Sequence, residues 1–229
     1  MVEGIFFMRI IYFDTETTGT NPKKDNIIEL ALYIVENGRV VEKYDKFIKQ
    51  DKVLPSVIVE LTGITDELLR LEGVDEQIVA RDLYKKLKKG TLMVAHNTQF
   101  DLNFIYNMLC RYYDNNHIMD LFSNLYWLDT LTIFKDRKPY PHKLKDLVEY
   151  YNLGDVRFHR AIDDTSVLPV ALIEMTRERN DIKEYVNVFG YNPRYGVTGK
   201  RFGFIKYYKQ DYHDSMVKSE DILPYQKNR

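Results

Sequence analysis

Four apolar residues, Ile10-Ile11-Tyr12-Phe13, run straight into Asp14-Thr15-Glu16 and then Thr17-Thr18-Gly19. Two β-branched and two aromatic side chains in succession read as a strand covered on both faces, because a strand with one wet face alternates apolar and polar residues. A carboxylate at the end of such a strand is costly to bury unless something cationic meets it. Side chains two apart on a strand share a face, so Asp14 and Glu16 point the same way and Thr15 points the other. Carboxylates that close repel each other, and either one takes up a proton or a hard cation such as Mg2+ binds between them. The plainer alternative ends the strand at Asp14 and leaves both acids solvated in a turn. Choosing between the two requires further carboxylates.

The 229 residues suit one domain, or one domain with an extension, and are enough to bury a sizeable core. A net charge of −1 provides no overall field for nucleic acid, although an acidic metal site and a basic rim would cancel in that sum. Tyrosine and phenylalanine number 18 and 12, which leaves rings to stack on bases even if most serve packing. The lone Cys110 cannot form an internal disulfide and fits a reducing, cytoplasmic location. The first residues carry no basic leader, and Arg9 interrupts their apolar run, so neither a signal peptide nor a membrane span is expected. The ordered fold is expected to begin near Met8.

After the first strand, residues 26–49 contain two β-rich runs joined by Asn37-Gly38, the pair best suited to a type I′ hairpin turn. Residues 9–49 are therefore expected to form a three-stranded meander. Pro55 and Thr65-Asp66-Glu67 mark two helix starts, and residues 75–89 read as an amphipathic helix ending at Gly90. Thr91–Asn97 is a short buried strand. The helix after it puts Phe100, Phe104, Ile105, Met108, Leu109 and Tyr112 on one face. A strand is expected near Asn124–Leu131, then helices over 142–153 and 161–179, the second with a kink at Pro169. A meander followed by alternating helices and strands gives an α/β layered domain with a mixed sheet.

Two further acidic signals supply the missing carboxylates. In Val94–Asp101 a strand ends, a polar loop turns, and Asp101 opens a helix; in His159-Arg160-Ala161-Ile162-Asp163-Asp164 another helix begins. Singly, Asp101 and Asp163 are ordinary charges at helix N-termini, and His159 is an ordinary loop histidine. Together the segments FDTETTG, HNTQFD and HRAIDD, in that order and spacing, resemble the DnaQ-like family of 3′-to-5′ exonucleases, in the subgroup called DEDDh after its four acids and histidine. LTGIT, LDTL and KLKDL add to the resemblance, which covers about residues 8 to 177. It implies an RNase H-like α/β fold, a mixed five-stranded sheet flanked by helices, with the exonuclease domain over residues 8–180 and an extension over 181–229.

By that resemblance Asp14, Glu16, Asp101 and Asp164 are the metal-binding acids and His159 is the general base. The family spacing of five from the histidine selects Asp164 over Asp163. Hydrolysis of a phosphodiester needs an activated water and stabilised charge on the leaving oxygen, which two divalent cations roughly 4 Å apart supply. Four carboxylates suit Mg2+, with Mn2+ as a substitute. Imidazole titrates near neutral pH, as a base taking the water's proton requires. The family grips the terminal nucleotide just after the first motif, where Thr17 stands, and many relatives carry a histidine against the terminal base where Thr62 stands. His96 and Asn97 either order the terminal nucleotide or cap the following helix.

Beyond the match, Arg194, Lys200, Arg201, Lys206 and Lys209 are interleaved with aromatics and glycines, with no acid between residues 192 and 209. Such a segment either follows a nucleic-acid backbone or forms a loop and edge strand with solvated charges. Residues 213–229 are polar and read as flexible or partner-docking. The leading expectation is a metal-dependent 3′-to-5′ exonuclease acting on DNA 3′ ends, with any polymerase partner on a separate chain and no membrane partner. An exoribonuclease and a catalytically silent nucleic-acid-binding module are the alternatives.

Overall fold

The structure, a computed structural model, describes residues 8–156 and 158–210. The expected N-terminal segment and the polar stretch 213–229 lie outside the described residues. β1 (Arg9–Thr17) pairs antiparallel with β2 (Ile27–Glu36), and β2 with β3 (Arg39–Phe47), which is the expected meander. Asn37 and Gly38 both adopt positive φ, 50° and 76°, as a type I′ turn demands.

α1 (Ser56–Thr62) follows Pro55, and α2 (Asp66–Glu72) is capped by the Thr65 hydroxyl, which accepts from the Leu68 N–H at 3.1 Å. α3 (Glu76–Lys86) stops short of the expected Lys89, because Leu87 turns into an extended conformation and buries its side chain. The chain then forms β4 (Leu92–Ala95), α4 (Thr98–Cys110), α5 (Asn115–Ser123), β5 (Tyr126–Asp129), α6 (Thr130–Arg137), α7 (Leu144–Tyr150) and α8 (Ala161–Glu178), with Pro169 inside α8. The sheet order is β3-β2-β1-β4-β5, and β1–β4 and β4–β5 are parallel. β1 is thus central, as its unbroken apolar run requires.

Alternate residues of β1 enter different halves of the core. Ile11 and Phe13 pack with Leu83 of α3 and Leu102 and Ile105 of α4, whereas Ile10 and Tyr12 pack with Ile133 of α6 and Leu168 and Leu172 of α8. α4 ends at Cys110, so Tyr112 lies beyond it and is 39% exposed rather than on its buried face. α5 was not expected; Asp114 caps it by accepting the N–H groups of Asn116 and His117 at 3.0 Å. The Leu128–Leu131 stretch expected to be strand is split, since Asp129 accepts from the N–H groups of Leu131 and Thr132 and starts α6.

After a 3-10 turn at Ile182–Tyr185, β6 (Val188–Tyr191) and β7 (Lys206–Lys209) form a separate parallel pair. Phe189, Phe202 and Ile205 pack on the α3–α4 side and Ile182, Tyr185 and Tyr208 on the other, so residues past 180 fill both halves of the core. Among the described residues no helix is long and apolar enough to cross a membrane.

Candidate active site

The C-terminal end of β1 delivers Asp14 and Glu16, and the first turn of α8, packed across β1 and β2, delivers Asp164. One carboxylate oxygen from each lies within 4.8 Å of the others; Asp163 is not among them. Asp101 reaches the same strand end from α4. It is only 2% exposed, and its Oδ1 accepts both the Thr15 N–H at 3.0 Å and the Thr15 hydroxyl at 2.6 Å. Thr15, on the face opposite to the two acids, therefore ties the second motif to the first.

Burial raises the pKa of every one of these acids, and neighbouring carboxylates add to it. Asp14 is pushed well above the usual carboxylate range by burial and then by Asp101, Asp164, Glu16 and Glu29. Burial, then Asp164, Glu29 and Asp101, push Glu16 up to about 8. Asp164 rises to about 7, mainly through burial, and so does Asp101, although its bonds from Thr15 pull it down. Asp164 Oδ1 is buried with no hydrogen-bond partner. A buried oxygen without a donor, inside a cluster of like charges, fits a hard divalent cation.

His159 stands at the mouth of this cluster with its side chain exposed and φ of 67°, a left-handed conformation that turns the chain immediately before α8. Its N–H donates to Asp164 Oδ2 at 3.2 Å. The next residue anchors this turn. The Arg160 guanidinium donates to Glu29 Oε1 at 3.1 and 2.9 Å, and the Ala161 N–H donates to Glu29 Oε2 at 3.0 Å. Glu29 is fully buried on β2, directly opposite Glu16 in the strand register. The sequence reading passes over Glu29, Arg160 and Asp129. For Glu29 a signal existed: it is a lone acid in the apolar run Ile27–Val35.

The residues expected to hold substrate behave differently from one another. Thr17 is buried and its hydroxyl donates to the Gly19 carbonyl at 2.6 Å. Thr62 is 4% exposed; its hydroxyl donates to the Ile58 carbonyl and accepts from the Ile64 N–H, so it is engaged within its own helix end. His96 Nε2 lies 3.0 Å from the His142 carbonyl, which can only accept, so Nε2 carries the proton. Burial keeps that imidazole below its usual pKa, and it joins the end of β4 to the 138–143 loop. Asn97 is exposed and its side chain makes no capping bond. Asp129 caps α4 instead, accepting the N–H groups of Asn97 and Thr98 at 2.8 and 3.1 Å while also capping α6.

A family model described as Exonuclease (RNase_T) matches residues 11–186. The chain is 32% identical over 189 residues to a DNA polymerase III PolC-type protein of Latilactobacillus sakei subsp. sakei (strain 23K), covering 82% of this chain and 12% of that protein. It is 33% identical over 172 residues to the 3′-5′ exonuclease DinG of Bacillus subtilis (strain 168), covering 73% of this chain and 17% of that one. Among solved structures, E. coli ExoI in a zinc-bound complex with single-stranded DNA superposes with a TM-score of 0.69 at 19% identity, over 77% of this chain and 42% of that one. The chain thus spans less than half the length of each of these proteins. The ExoI likeness and the mixed sheet identify the fold as RNase H-like.

Proposed function

The chain belongs to the RNase_T exonuclease family, the DnaQ-like group its motifs resemble, and from that premise we propose that it removes nucleotides one at a time from DNA 3′ ends, releasing nucleoside 5′-monophosphates. The observation that carries this reading is the convergence of Asp14, Glu16 and Asp164 at the end of β1, with Asp101 held beside them through Thr15. Two divalent cations, Mg2+ or Mn2+, held by these four acids would supply an acidified water and stabilise charge on the departing oxygen.

His159, exposed at the mouth and tethered through its backbone to Asp164, is the general base in this reading. It takes the proton of the attacking water as the new oxygen–phosphorus bond forms and the bond to the 3′-oxygen of the preceding nucleotide breaks. Glu29 holds Arg160, and so fixes the turn that presents His159. The PolC-type and DinG relatives and the DNA-bound ExoI neighbour support DNA over RNA. The PolC-type relatives also support a role in replication, in company with a polymerase. Residues 8–180 carry the catalytic groups in this reading.

The test is a time course with 3′-labelled and 5′-labelled single-stranded DNA and the matching RNA, in Mg2+, Mn2+ or EDTA. Stepwise shortening of DNA from the 3′ end, abolished by EDTA and reduced at least about 1,000-fold in Asp14→Ala and His159→Ala, is expected. Unchanged hydrolysis in either variant would refute the assignment, and faster cleavage of RNA would refute the DNA preference.

A further inference from the structure

A cleft of about 190 Å3 opens beside the first turn of α4, walled by Asn97, Phe100, Lys135, Tyr191, Tyr195 and Tyr207 among others. Its outer wall comes from residues beyond the 11–186 family match. That wall is tied to α4 with care. Gln99 Nε2 donates to the carbonyls of Thr198 and Lys200 at 2.7 and 2.8 Å, and Gln99 Oε1 accepts from the Tyr207 hydroxyl at 2.9 Å. Asn103 Oδ1 accepts the Lys200 N–H at 2.6 Å. Gly199 has a φ of +73° and leaves no room for a Cβ, which would meet Asn103 Oδ1 at 2.5 Å. An exposed loop is thereby held rigid against the helix that carries Asp101.

The chemistry of this wall is one-sided. Arg201 lies over both Tyr191 and Tyr207, 5.4 and 5.0 Å from their ring centroids, and Tyr195 is 72% exposed with Arg194 beside its ring. No acid occurs between residues 192 and 209. Aromatic faces among cations are what a single strand needs, bases against rings and phosphates against charges. Phe100 and Asp101 are neighbours on one helical turn, with Cα atoms about 3.8 Å apart. Phe100 faces the cleft while Asp101 faces Thr15 and the acids. The cleft is thus one helical residue from Asp101, within reach of a strand whose last phosphate sits at the acids.

We propose that the cleft is an upstream strand-holding site, in which a base of the single-stranded DNA substrate stacks against Tyr195 and Tyr191 while Arg194, Lys200 and Arg201 meet the adjoining phosphates. This inference rests on the exonuclease reading. The test compares a dinucleotide with a 12-mer of the same 3′ end, hydrolysed in Mg2+ by the wild type and by Arg194→Ala/Tyr195→Ala, two exposed positions whose loss spares the core. Stacking of one base is worth about 5- to 150-fold, so KM for the 12-mer should rise at least about 5-fold with dinucleotide kinetics retained. The dependence of log KM on log salt should also become shallower by about 0.7 for the phosphate contact removed. A wild-type KM for the 12-mer, or an equal loss on both substrates, would overturn the inference while leaving the exonuclease reading standing. Wild-type inactivity on both substrates would overturn the reaction itself and this site with it.

Discussion

Replacing Glu16 by Gln should stabilise the metal-free protein, by an amount that grows with pH. The folded Glu16 carboxyl, raised to about 8 by burial and by Asp164, Glu29 and Asp101, has an ordinary value of 4.5. Between those values the folded chain keeps a proton that the unfolded chain has released, so unfolding becomes easier as pH rises. The stability Glu16 allows is complete below about pH 4.5 and is lost progressively until the folded group ionises near 8. Each pH unit in that window is worth about 1.4 kcal/mol, so the gap between variant and wild type should widen by about 3 kcal/mol from pH of about 5.5 to about 8. Urea denaturation in EDTA at both pH values measures it. Added Mg2+ should close the gap at the higher pH, since a cation bound only by the folded wild type stabilises it by mass action. An equal gap at both pH values would refute the claim that unpartnered negative charge dominates this cluster.

Arg160→Ala should lower kcat at least about 10-fold with a smaller change in KM, because it frees the turn that presents His159 and leaves the buried Glu29 unpaired. Arg160→Lys should restore part of the loss, and equal effects of both variants on kcat and KM would point to general unfolding instead. Asp129→Ala should cost about 3 kcal/mol in urea denaturation, since one buried carboxylate caps two helices; a loss under about 1 kcal/mol would show that the caps are replaceable.

The parts of the fold legible in the sequence are those set by local patterning. The unbroken run Ile10–Phe13 marked the central strand, Asn37-Gly38 the hairpin, and Pro55 and Thr65 the helix starts. The acids of the site were legible because three motifs kept a fixed order, which made Asp164 rather than Asp163 the candidate. What was not legible depends on contacts between distant segments. α5 and α6 begin where Asp114 and Asp129 accept backbone N–H groups, and nothing in the neighbouring apolar pattern announces it. Thr62 stands where many relatives of the family carry a histidine, and the motif does not announce that its hydroxyl bonds within its own turn. Glu29 and Arg160 lie 131 residues apart and find each other only when α8 packs across β2.

Acidity alone does not mark the site, because buried or half-buried carboxylates, Asp14, Glu16, Glu29, Asp101 and Asp164 among them, crowd one end of the sheet. What separates them is how their oxygens are used. Glu29 is spent on Arg160 and Ala161, and nearby Asp129 is spent on two helix N-termini, so both are structural anchors. Asp101 is half committed, since one oxygen serves Thr15 twice. Asp164 keeps a buried oxygen with no donor, next to Asp14 and Glu16, both of which its charge pushes up in pKa. A fold near its stability threshold retains such uncompensated charge only where something else offsets it. The anchors hold the reactive acids in place without neutralising them, and that division of labour lets one end of the sheet be both rigid and ready for a cation.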